Sequence, residues 1–178
     1  VSMKTCILAT GSKGNSTYIA SSNTNILIDL GTTSLYVEKQ LKNANIDPKL
    51  IEAIVLTHTH IDHVNGIRVF MKKYHPTLYL TEKMSKELHR EFEIEKYKII
   101  DGDFDINDIH FRVFKTSHDA PDSNGYVIEN NNRSIVYITD TGYINQKNHA
   151  LLKNRNLYIM ESNHDIKMLM DGKYPYHL

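Results

Sequence analysis

His58-Thr59-His60-Ile61-Asp62-His63 places four side chains able to bind a metal within six residues. Neutral imidazole and carboxylate suit zinc, iron or manganese far better than calcium. A solvated polar loop would explain such a run poorly, because nothing requires histidine in a loop. The apolar run Ala53-Ile54-Val55-Leu56 comes before it and Val64-Asn65-Gly66 after it, so the segment is predicted at the end of a buried strand. His58 and His60 alternate and would point the same way on an extended chain. Asp62 and His63 follow where the strand turns toward a helix, in position to face a second metal.

Other strand ends carry titratable residues too. Asp29 follows Asn25-Ile26-Leu27-Ile28. His118 follows the strand Ile109–Lys115, in a polar loop. Asp140 follows Arg133–Ile138, and Glu161-Ser162-Asn163-His164-Asp165 follows Leu157-Tyr158-Ile159-Met160. After the His-rich run, His118 is a third imidazole for the first metal. An aspartate ending a strand, such as Asp29, is most simply a turn or cap residue. His164 is either a strand-end histidine capping a following helix or a group in contact with substrate.

The elements that must position these residues follow from periodicity and breakers. Thr5–Ala9, Thr17–Ala20 and Asn25–Ile28 are predicted strands. Gly11-Ser12-Lys13-Gly14-Asn15-Ser16 is a turn, equally readable as a hairpin loop or as a substrate loop. Ser34 is expected to cap a helix through Leu41 and Ala44, and Thr81 one through Leu88. Gly66–Met71 and Asn145–Lys153 are further predicted helices. His75, His89 and His149 are expected at the surface, and His110 in a structural role.

The chain has 178 residues, enough for one domain with a real core or for part of a larger one. Lys+Arg and Asp+Glu are both 21. There is thus no bulk electrostatic case for nucleic acid, although a local basic patch is not excluded. The single cysteine, Cys6, cannot form an internal disulfide. It is expected to be a buried small apolar side chain and fits a reducing cytoplasm. No apolar run approaches the roughly 18 residues of a membrane span, and Met3-Lys4-Thr5 leads straight into a strand, so neither an anchor nor a leader is expected.

Together these residues resemble the metallo-β-lactamase superfamily. The match is His58-x-His60-x-Asp62-His63, then His118, then Asp140 in Thr-Asp-Thr-Gly, with Asp29 upstream. Gly11–Ser16, Leu27-Ile28-Asp29-Leu30-Gly31 and Glu161–Asp165 resemble the bacterial WalJ/YycJ-type branch, grouped with nucleases and phosphodiesterases. The resemblance implies an α/β (α+β) fold, an αββα four-layer sandwich with a dinuclear site at one edge. It implies that His58, His60 and His118 bind one metal, that Asp62 and His63 bind the other, and that Asp140 bridges them. Asp29 would be structural, supporting the site from behind. Glu161, three residues before His164, would be a supporting residue that orients His164 or fixes its charge. The family's further histidine, in a Gly-His-Leu-Ser type segment, has no counterpart here. Residues 1–178 are therefore expected to be an incomplete N-terminal portion of the domain. A weak second site, low activity and self-association through an open sheet edge are expected with it.

The chemistry expected is hydrolysis of nucleic acid or of a small phosphodiester by a hydroxide activated between two divalent ions, zinc foremost with manganese or iron as alternatives. Asp62 would orient the attacking water and His164 would protonate the leaving oxygen or hold the phosphate. The same scaffold would also serve a thioesterase or lactonase, and a metal-binding fragment without catalysis is the third reading.

Overall fold

In β3 (Asn25–Ile28), Ile26 and Ile28 face one side and Leu27 the other, and all three are buried. Side chains alternate across a strand, so a strand apolar at successive positions must be covered on both faces. The computed structural model, which describes residues 3–11, 14–116, 122–138, 146–162 and 165–170, provides both covers.

The first sheet runs β1 (Lys4–Ala9), β2 (Ser16–Ala20), β3, β4 (Ala53–Val55), β5 (Thr77–Leu80) and β6 (Tyr97–Ile99) in that spatial order. The β1–β2 and β2–β3 pairs are antiparallel; the β3–β4, β4–β5 and β5–β6 pairs are parallel. The second sheet holds β7 (Phe104–Ile106), β8 (Ile109–Lys115), β9 (Asn124–Asn130), β10 (Arg133–Ile138), β11 (Leu157–Ser162) and β12 (Asp165–Met170), adjacent in chain order. Only β10–β11 is a parallel pair there.

The core between the sheets joins Ile26, Ile28 and Val55 to Phe111, Tyr126, Ile128 and Tyr137. The outer face of the first sheet, with Leu27, Ile54 and Leu78, packs on α1 (Ser34–Asn43), α3 (Ile67–Tyr74) and α4 (Glu82–Leu88) through Val37, Leu41, Phe70 and Met84. The outer face of the second sheet, with Val127, Val136 and Tyr158, takes Leu152 of α5 (His149–Leu152). The layers are α, β, β, α, as the resemblance implies. Each such buried side chain contributes about 1.5–3 kcal/mol. Among the described residues no helix is long and apolar enough to cross a membrane.

Several local expectations are corrected. Thr33, not Ser34, caps α1: Thr33 is extended and its side chain accepts the Tyr36 N–H, while Ser34 is already helical and its hydroxyl donates to Glu38 at 3.1 Å. Cys6 is half-buried rather than buried. The strand through Met160 continues to Ser162 and pairs with β12, which was not anticipated: Ser162 sits opposite Asp165 in register. The helix expected from Asn145 is a 3-10 turn, Gln146–Asn148, leading into α5; Asn145 itself lies outside the described residues. The predicted helix from Gly66 becomes α3, and a separate short helix, α2 (Ile61–Val64), precedes it.

Backbones meet closely behind α2. Leu30 N–H donates to His63 O at 2.8 Å, and Gly31 N–H to Asn15 O at 2.9 Å. A Cβ at Gly31 would lie 1.5 Å from Asp62 O. Backbone cannot yield as a flexible side chain does, so Gly31→Ala should destabilise the protein by about 3 kcal/mol, the upper end for overpacking. A Cβ at Gly102 would meet nothing within 4 Å, although its φ is +89°. Gly102→Ala should cost only the ~1–2 kcal/mol of a left-handed alanine. Thermal melting of both variants checks this, and equal losses would contradict it.

Candidate metal centre

The parallel strands β3 and β4 deliver their carboxyl ends to one edge, where ligands commonly bind in parallel sheets. Asp29 follows β3 in left-handed backbone, φ +60°, a region open to Asp and Asn more than to most residues. It is fully buried. Its carboxylate accepts the Thr57 N–H at 2.8 Å and the Thr57 hydroxyl at 2.7 Å. It also accepts from His63 Nδ1 at 2.6 Å.

These bonds assign the imidazoles. A threonine hydroxyl has one proton, and Thr57 gives its proton to Asp29. The 2.9 Å contact between Thr57 Oγ1 and His58 Nδ1 therefore has Nδ1–H of His58 as donor. His58 and His63 thus both turn Nδ1 toward Asp29, one through Thr57 and one directly, and keep Nε2 for the site. A carboxylate behind the distal nitrogen is the usual support of a metal-binding histidine.

His60, in extended backbone, is the N-cap of α2, and α2 then presents Asp62 and His63. One ligand atom from each of His58, Asp62 and His63 lies within 4.8 Å of the others. His63 Nε2 is 3.6 Å from Asp62 Oδ2 and 3.4 Å from Glu161 Oε2. His58 and His63 are buried, while His60 is exposed with its ring centroid 5.0 Å from that of His58. Thr59 anchors the loop to α4 by donating to Glu87 at 2.7 Å. Borderline nitrogen and oxygen donors converging on one point, with their other faces tied down, fit a divalent transition metal.

His118, Asp140 and His164 lie outside the described residues. Three further histidines are occupied elsewhere: His75 with Glu95 at 3.1 Å, His89 with Ser85 O at 2.8 Å, and His110 with Asp105 at 2.7 Å. Glu161, expected to orient His164 or fix its charge, has its carboxylate Oε2 3.4 Å from His63 Nε2. Asn15 was missed as a site residue. It is fully buried, with Nδ2 3.3 Å from His63 Nε2 and 3.5 Å from Asp62 Oδ2; in sequence it was one polar residue of a glycine turn.

Burial opposes a charged imidazolium at His63, but Asp29, Glu161 and Asp62 outweigh it and hold the His63 pKa above its ordinary value. A metal must displace the Nε2 proton of that imidazolium. Below the raised pKa the proton competes, so metal affinity should fall as pH drops through it. Chelator-competition titrations between about pH 8 and about pH 6 would show this, and an affinity flat across that range would contradict it.

A profile of the family described as Beta-lactamase superfamily domain matches residues 24–178. The chain is 35% identical over 175 residues to Exodeoxyribonuclease YycJ of Bacillus anthracis, covering 96% of this chain and 66% of that protein. It is 33% identical over 191 residues to Exodeoxyribonuclease WalJ of Streptococcus pneumoniae serotype 2, covering 100% of this chain and 69% of that protein. The chain therefore spans about two thirds of the length of these curated relatives. Among solved structures, the metallo-beta-lactamase fold protein YhfI from Bacillus subtilis aligns with a TM-score of 0.72 at 15% identity, covering 88% of this chain and 70% of that one. The last likeness concerns the fold alone.

Proposed function

The chain belongs to the metallo-β-lactamase superfamily, and we propose that it is a metal-dependent phosphodiesterase of the exonuclease type, acting on DNA. The observation that carries the proposal is the convergence of His58, Asp62 and His63 within 4.8 Å in a chain about one third identical to two exodeoxyribonucleases. The family's fold implies divalent metal ions, and zinc is the ion we propose for this donor set. His58, His60 and His118 would hold one ion and Asp62 and His63 the other, with Asp140 shared. Bound there, the two ions would lower the pKa of water and stabilise charge on the phosphoryl oxygens.

The protein's own groups do the rest. Asp29 fixes the tautomer and angle of both buried imidazoles. Asp62, with 25% of its side chain exposed where His63 has none, is the carboxylate that solvent can reach, and it orients the attacking water. Glu161 adds negative charge beside His63 and so favours a cation there. His164 is assigned to the leaving oxygen, as proton donor or phosphate contact. A cytoplasmic setting is proposed with this function, since Cys6 is a free thiol.

End-labelled single- and double-stranded DNA, bis(p-nitrophenyl) phosphate and a simple thioester separate the possibilities. Progressive shortening of DNA and release of nitrophenol are expected, with no thioester turnover. Thioester turnover without phosphodiester turnover would overturn the proposal.

A further inference from the structure

The position of Asn15 is set by main chain, independently of its side chain. Its N–H donates to Asp62 O at 2.7 Å, and its carbonyl accepts the Gly31 N–H at 2.9 Å. The side chain is nevertheless fully buried and directed at the candidate centre. Nδ2 lies 3.4 Å from Asp62 O, 3.5 Å from Asp62 Oδ2 and 3.3 Å from His63 Nε2. Two Asp62 oxygens take the N–H groups while the protonated Nε2 of His63 faces the same nitrogen, and every contact is at the long end of the hydrogen-bond range. Turning the amide over would set its oxygen against the main-chain carbonyl and the carboxylate of Asp62, so the orientation is fixed by charge.

The other half of the amide is unused: Oδ1 is buried and has no hydrogen-bond partner among the described residues. A buried carbonyl oxygen without a donor is costly and calls for a group that completes it, such as a bound water or ion. Both features have one explanation. An ion on His63 Nε2 would take the place of that proton and leave the amide N–H groups to Asp62 alone. Water entering with the ion would give Oδ1 its donor.

We propose that Asn15 is a positioning residue of the metal centre, its carboxamide holding the Asp62 carboxylate and the His63 face in register for a divalent cation. This rests on the reading of His58, Asp62 and His63 as a metal centre.

The test compares zinc affinity, by chelator competition, in the parent protein, in Asn15→Ala and in Asn15→Leu, alongside the melting of each protein without metal. Leucine nearly matches asparagine in shape and makes no hydrogen bond, so it fills the buried space if alanine does not fold. Zinc binding in both variants should weaken by about 10–100-fold, the usual effect of losing a group that orients metal ligands. The metal-free melting temperature of the leucine variant should change little. If Asn15 were only structural, melting would fall while the folded fraction bound zinc as tightly as the parent, and that result overturns the proposal. A parent protein that binds no zinc would instead sink the metal reading itself. If neither variant folds, the side-chain amide resonances of Asn15 in the parent decide: they should shift during the zinc titration, and unmoved resonances overturn the proposal.

Discussion

Asp62→Ala should abolish hydrolysis of DNA, lowering turnover by about 10²–10⁴-fold, the usual worth of a lost acid–base group. The aspartate is the one carboxylate of the His58–Asp62–His63 group, and it is open to solvent where both histidines are sealed. It is therefore asked to help hold the cation and to orient the nucleophile. Metal content should fall in the same variant, and more sharply in His58→Ala and His60→Ala. His75→Ala and His89→Ala should leave metal content unchanged, because those rings are bound to Glu95 and Ser85. Elemental analysis and DNA digestion on the same preparations check all five. Parental turnover in Asp62→Ala, or equal metal in every variant, would contradict the assignment.

The second large effect is expected at a residue that touches no substrate. Asp29→Ala removes the acceptor of three hydrogen bonds, leaving the Thr57 N–H buried and unpaired. It also removes the partner of a fully buried histidine whose pKa is raised by Asp29 and its neighbours. Breaking one side of such a buried pair costs about 3–5 kcal/mol, and alanine at φ +60° adds roughly 1–2 kcal/mol. A domain with the usual ~5–15 kcal/mol of stability would be left marginal or unfolded. Asp29→Asn tolerates the backbone and keeps one acceptor, so it should fall between the two. Urea denaturation of the metal-free proteins measures the series. An alanine variant within about 1 kcal/mol of the parent, the size of an ordinary substitution, would show that Asp29 does not hold the site together.

What the sequence revealed depended on how local the signal was. The His58–His63 spacing and the apolar strand Asn25–Ile28 lie within a few residues, and their consequences were readable directly. Glu161 meets His63 across 98 positions of sequence, and Asn15 meets Asp62 across 47. Such contacts depend on which strands become neighbours, and periodicity does not carry that. The αββα layering itself came from the family resemblance. The strand β12 was missed because Asp165 and Lys167 interrupt its apolar pattern, and α2 because four residues cannot display a helical period. Thr33 and Ser34 are equally good caps by type; only the dihedral angles chose between them.

Under the proposed function, a divalent cation held by the histidine–aspartate centre drives phosphodiester cleavage. The most direct measurement is digestion of labelled DNA by one preparation before chelation, after exhaustive chelation, and after zinc or manganese is restored. Cleavage, then none, then cleavage again is the expected sequence. Digestion undiminished by the chelator, or DNA left intact in all three conditions, would contradict it.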